Sequence, residues 1–114
     1  MLDDESTPSL YNDPDLMGRV RTTLESAFGK DKVVVTPRRM GSEDVGVFGL
    51  NPGAGGIPVA FFWLGAMDPE KLAAAKAKGP LPPGVHTAKF EPLPEPTLAT
   101  GIQAMTAVAE SLLR

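Results

Sequence analysis

Apolar positions recur at a helical interval twice in this chain, once toward each end. Leu16, Val20, Leu24 and Phe28 fall four residues apart, with Met17 alongside, so they share one helix face. Asn12 or Asp13 can cap that helix, Pro14 suits its first position, and Asp15 favours its positive end. Gly29 closes it. The pattern predicts a helix over 14–28. Toward the other end Leu98, Ile102, Met105, Val108, Ala109 and Leu112 form a second apolar stripe. It predicts a helix over 96–113, opened near Pro96 and slightly weakened by Gly101.

Between the two helices the pattern changes. Val33-Val34-Val35 is β-branched and bounded by Lys30-Asp31 and Pro37, which predicts a short strand over Lys32 to Thr36. Gly41-Ser42-Glu43-Asp44 predicts a cap and a brief helical turn through Phe48. Asn51 to Gly56 reads as a glycine–proline loop. Pro58 to Gly65 holds Val59-Ala60-Phe61-Phe62-Trp63-Leu64, which does not alternate. An interior strand covered on both faces is expected there, as in a parallel sheet between helices. Asp68-Pro69-Glu70 opens a helix-like stretch, Lys71 to Lys78, whose alanines and lysines suit a solvated surface. Gly79 to Gly84 is a proline-rich loop, and residues 1–11 read as a flexible lead-in.

This order predicts an α/β fold: one domain over 1–114, a partial α-β-α layered arrangement with a small, mostly parallel sheet flanked by helices. Two strands make a thin sheet. It is expected to be completed by polypeptide outside these residues or by dimerisation.

Composition narrows the function. The 114 residues include twelve glycines and twelve prolines, so much of the chain must be loop. Hydrophobic residues at 42% and charged residues at 22% suit a globular protein rather than a disordered one. The net charge is −3, and the basic pair Arg38-Arg39 is followed by Glu43-Asp44, which argues against nucleic acid as partner. Met1-Leu2-Asp3-Asp4-Glu5 does not read as a signal peptide, and Ile57 to Leu64 is too short to span a bilayer. No membrane association is expected, and the cytoplasm is the expected location. With no cysteine, disulfides and thiolate-bound zinc are excluded for these residues.

Few residues remain for chemistry. His86 is the single histidine, set just beyond Pro80, Pro82 and Pro83. On a stiff loop it could bind a metal or act as a general acid or base, or it could be an ordinary surface histidine. Glu43-Asp44 could serve a metal, or simply start a helical turn. A catalytic zinc takes about three protein ligands. His86, Glu43 and Asp44 reach that count in poor geometry, because adjacent carboxylates on a turn splay apart. Gly53-Ala54-Gly55-Gly56 precedes an expected strand, not a helix, and lacks a following lysine, so it is no phosphate loop. No Gly-x-Ser-x-Gly elbow occurs. Met40, Met67 and Met105 read as core filling.

Four segments in order nevertheless carry a resemblance. They are Asn12-Asp13-Pro14-Asp15-Leu16, Met40-Gly41-Ser42-Glu43-Asp44, Ile57-Pro58-Val59-Ala60-Phe61-Phe62-Trp63-Leu64-Gly65 and Val85-His86-Thr87-Ala88-Lys89-Phe90. Together, from about Thr7 to Arg114, they resemble the C-terminal stretch of the catalytic domain of metal-dependent amidohydrolases, the aminoacylase, hippurate hydrolase and carboxypeptidase-G group. The resemblance implies a zinc-type two-metal enzyme that hydrolyses N-acyl amino acids or similar amides. It implies that His86 is a metal ligand and that Ser42, Glu43 and Asp44 lie in the active-site region. Val45 stands where the family usually has an aromatic, and Val85 where it usually has leucine.

The family's other metal ligands and its general base lie in an N-terminal half, and a lid or dimerisation domain interrupts the whole; neither matches anything in these residues. The expectation is therefore a truncated homologue, inactive alone and binding zinc or another divalent metal only with that half as partner. A free-standing, non-catalytic domain that self-associates, or an unrelated binding module, are the competing expectations.

Overall fold

The computed structural model describes residues 8–39, 43–49 and 56–114. Among the described residues four helices are formed: α1 (Pro14–Phe28), α2 (Gly46–Gly49), α3 (Pro69–Lys78) and α4 (Pro94–Leu113). They fall into two compact units, one of Met1–Phe62 with Ala107–Arg114 and one of Trp63–Thr106, α4 contributing to both.

No strand occurs among the described residues, so the expected α/β fold with a parallel sheet is not formed. The two runs expected as strands are irregular. β-Propensity expresses the fit of a side chain to a pleated, half-buried surface, and it has no effect without a neighbouring strand. Val34 and Val35 are exposed accordingly. In the second run Trp63 and Leu64 are exposed, so it is not covered on both faces.

In the first unit, backbone groups of that second run are met by the start of α1. The Asn12 side-chain amide donates to the Phe61 carbonyl at 2.8 Å and accepts from the Phe61 N–H at 2.7 Å. The Asp13 N–H donates to the Val59 carbonyl at 2.8 Å. A side-chain amide thus does for Phe61 what a neighbouring strand would do in a ladder.

α1 forms as its sequence predicts. Asp13 caps it, accepting from the Leu16 N–H at 2.8 Å, and Gly29 ends it with φ 93° and an N–H bonded to the Glu25 carbonyl. Val20 (2% exposed) and Leu24 (7%) are buried, flanked by half-buried Leu16, Met17 and Phe28. The last turns of α4 lie beside α1: the Thr23 and Ser111 hydroxyls share a hydrogen bond of 2.9 Å, and Arg19 donates to the Ser111 carbonyl at 3.3 Å. Gly46 of α2 is buried because the chain at Pro8–Leu10 crosses it; a Cβ there would stand 3.1 Å from the Pro8 carbonyl oxygen. Of the expected lead-in, residues 1–7 lie outside the described residues.

In the second unit, Asp68 caps α3 by accepting from the Glu70 and Lys71 N–H groups. Lys76 and Lys78 complement the negative end of the helix. No α3 residue is buried, as its alanine–lysine composition predicts. α4 begins two residues before the predicted position, and its expected apolar stripe points outward except at Val108. Leu98, Ile102, Met105 and Leu112 are exposed, while Ala104 and Val108 are buried and Gly101, Ala107 and Ser111 half-buried. The side of α4 that packs is the one with small residues, which let a neighbour approach closely; the Leu64 side chain lies over Gly101. Met105 is therefore not core filling, and Met40 lies outside the described residues.

Candidate functional site

The His86 loop begins where α3 stops. Gly79 terminates the helix with its N–H on the Ala75 carbonyl at 3.1 Å. Pro80, Pro82 and Pro83 then restrict φ at three of the next four positions. A turn follows at Gly84–Thr87, held by the Thr87 hydroxyl donating to the Gly84 carbonyl at 3.0 Å. The Phe90 N–H closes the next step on the Thr87 carbonyl at 3.2 Å.

His86 sits in that turn with φ 67°, the one described non-glycine residue in the left-handed region. A side chain in that region costs about 1–2 kcal/mol, a penalty histidine tolerates better than most residues. His86 is exposed, as are Val85 and Thr87 on either side. Its imidazole is therefore presented to solvent from a turn rather than tucked into a core.

The loop is stapled at its base. Lys71 of α3 donates to Glu91 at 2.8 Å, and the Leu93 N–H donates to the Ala66 carbonyl at 2.8 Å. The Lys71 hydrogen bond and charge hold the Glu91 carboxyl below the usual carboxylate range, and the same bond raises Lys71 above the usual lysine value. Both groups stay charged near neutral pH. A pair tuned that way suits a structural clamp, because a general acid or base needs a pKa close to the working pH.

Glu43 and Asp44 belong to the first unit and His86 to the second, so neither unit holds the three together. The Glu43 and Asp44 carbonyls accept from the Gly46 and Val47 N–H groups at 3.0 and 3.1 Å, the start of the α2 turn. Ser42 lies outside the described residues. Among the described residues no group of three His, Cys, Asp or Glu side chains could hold a metal ion. His86 alone does not fit a zinc centre, which needs three or four donors. One open cleft in the first unit, lined by Pro14, Asp15, Gly18, Arg19, Thr22 and Ser111, lacks histidine and has Asp15 as its single acid.

Two features escaped the sequence reading: the Asn12 clamp on Phe61 and the Lys71–Glu91 staple. Each joins residues distant in the chain, and no local pattern announces either. No protein-family model matches the chain, and no solved structure matches it. No described helix is long and apolar enough to cross a membrane.

Proposed function

We propose that these residues are a homologue of the C-terminal stretch of the catalytic domain of zinc-dependent amidohydrolases, and that His86 is one ligand of a metal centre completed by the family's N-terminal half. The observation that carries this reading is the presentation of His86. It is the sole histidine, exposed, on a proline-stiffened and stapled loop, in a backbone conformation that costs a side chain energy. Such strain concentrates at functional positions. The ordered resemblance of four segments to that family supports the same residue. The resemblance gives the substrate class as an N-acyl amino acid or similar amide and assigns Ser42, Glu43 and Asp44 to the active-site region; the location proposed is cytoplasmic.

Calorimetric zinc titration and an amidase assay on N-acyl amino acids test the reading. The chain alone should bind zinc weakly and give no turnover. Adding a polypeptide that carries the family's N-terminal half should give tight zinc binding and turnover, and His86→Ala should lower zinc affinity in that mixture at least about tenfold. Stoichiometric tight zinc with turnover by the chain alone would overturn the claim of incompleteness. An unchanged affinity in His86→Ala would remove His86 as a ligand.

A further inference from the structure

We infer that Arg38-Arg39 is a proteolytic processing site: a serine protease of trypsin-like specificity cuts the folded chain after one of these arginines, and the two pieces stay assembled. The segment that leads to the pair has what such a protease needs. The turn after α1 ends where the Lys32 N–H meets the Gly29 carbonyl at 3.2 Å. From Val33 to Arg39 the chain is neither helix nor strand, and among the described residues it makes no hydrogen bond and no ion pair. Val34 and Val35 are 74% and 79% exposed, and Thr36 to Arg39 are exposed as well. Pro37 holds Thr36 out of the helical region and restricts its own φ to a value that an extended chain uses. An extended peptide with its N–H and C=O groups unoccupied can be bound along another protein's strand edge. The specificity pocket of a trypsin-like protease holds a carboxylate, which an arginine guanidinium meets in a charge-assisted pair.

The other basic residues are placed worse. Arg19 and Arg21 lie within α1, and Lys71, Lys76 and Lys78 within α3, where the backbone groups are committed to the helix. Lys30 and Lys32 belong to the turn at Gly29, and Lys89 to the step closed by the Phe90 N–H on the Thr87 carbonyl. Exposed, irregular chain of this kind is where nicking concentrates.

The reaction is a hydrolysis that consumes one water. The bond from the arginine carbonyl carbon to the next nitrogen breaks, leaving a carboxylate on the arginine and an α-ammonium group on the residue after it. The cut disturbs little, because the segment itself makes no such contacts. Bonds on either side of it join the pieces: Asn12 to Phe61 at 2.8 and 2.7 Å, Asp13 to Val59 at 2.8 Å, and Thr23 and Arg19 to Ser111 at 2.9 and 3.3 Å. The buried Val20 and Leu24 lie on the N-terminal piece, which therefore keeps an apolar face that only the rest of the chain covers. The inference does not depend on the metal reading, since Arg38 and Arg39 belong to the first unit and His86 to the second.

Limited digestion of the full chain with trypsin tests it, followed by intact-mass spectrometry and by gel filtration without denaturant. The first cut should fall after Arg38 or Arg39, and the two pieces should elute together. Arg38→Gln combined with Arg39→Gln should slow the first cut at least about tenfold while circular dichroism stays unchanged. Changes in stability separate a cut in the folded chain from one that waits for unfolding. A cut that waits follows the unfolded population, so it should quicken more than about tenfold in Leu24→Ala and slow about fourfold in Gly18→Ala. A cut in the folded chain should change less than about twofold in either. A first cut at any other basic residue, a rate that follows stability, or pieces that separate on gel filtration overturns the proposal.

Discussion

In α1 the apolar residues Leu16, Val20, Leu24 and Phe28 face the packed side of the helix; in α4 Leu98, Ile102, Met105 and Leu112 face away from it. Both helices have an apolar repeat, but they differ in what stands on the other side. Opposite its stripe α1 offers charged and hydroxyl side chains, including Arg21 and Thr22, that gain nothing from burial. α4 offers Ala104, Ala107, Val108 and Ser111, and small side chains let a second helix come close enough for hydroxyl-to-hydroxyl hydrogen bonding. An apolar period thus marks a face that is better covered, while side-chain size decides which face packs within the chain.

The sharpest way to break this comparison is to truncate one leucine from each stripe. Leu24→Ala should cost about 2–4 kcal/mol, because it removes buried methyl groups and leaves a cavity. Leu98→Ala should change stability by less than about 0.5 kcal/mol at concentrations where the chain is monomeric, since nothing buried is lost. Urea unfolding followed by circular dichroism reads both. Equal costs would show that the α4 stripe is covered within one chain and would erase the distinction.

The helices also differ in how the chain approaches them. α1 is preceded by Asn12, whose amide makes two reciprocal bonds to Phe61, whereas α4 is preceded by Leu93 bonded to Ala66 and by the exposed Lys71–Glu91 pair. Asn12→Ala should cost about 1–2 kcal/mol, the net worth of two hydrogen bonds on backbone groups. Asn12→Asp should be intermediate, keeping the bond from the Phe61 N–H while setting a carboxylate against the Phe61 carbonyl. If Asn12→Ala proves neutral in the same urea experiment, the clamp does not hold the Val59–Phe61 segment.

What the sequence disclosed follows the range of the interactions involved. Asp13, Pro14 and Gly29 mark α1 and Asp68 marks α3 because caps act within one turn of the chain. The same locality explains why the His86 loop stands between α3 and α4 where its prolines place it. The α/β reading failed because Val33–Val35 and Val59–Leu64 show strand preference without showing whether strands exist to pair with. The α4 stripe was legible as a period, but its direction was not: Val108, one of its members, is buried with Ala104, while Leu98, Ile102, Met105 and Leu112 stay exposed. In the candidate site, His86 was legible by being the sole histidine. Its left-handed backbone was not, since nothing around Gly84–Thr87 distinguishes that turn from one with glycine in the strained position.

A smaller effect separates the glycines. A Cβ added at Gly18 of α1 meets nothing within 4 Å, whereas one at Gly101 of α4 would stand 3.0 Å from the Leu64 side chain. Gly18→Ala should stabilise the chain by about 0.8–1 kcal/mol, the helix-propensity difference between the two residues. Gly101→Ala should gain less, because the Leu64 side chain must give way. Thermal melts decide it. If Gly101→Ala gained as much as Gly18→Ala, Leu64 would not be packed on the small-residue face of α4.

The least effect is expected at the staple before α4. Glu91 is held low by the Lys71 hydrogen bond, so its contribution is present above the ordinary carboxylate range and lost as pH falls through its lowered value. Lys71 is held high by the same bond, so its contribution is present below the ordinary lysine value and lost as pH rises through its raised value. The pair is therefore intact across the neutral range and fails at both extremes. Because both groups are exposed, the melting temperature of Lys71→Met should sit only slightly below wild type at neutral pH. The two should converge in acid, and also in high salt, which screens exposed pairs. A gap that persists in acid would show that Lys71 acts through the packing of its aliphatic stem rather than through its charge. The approach to α4 would then rest on apolar contact, as α1 does along its buried face, and the contrast between the two helices would narrow.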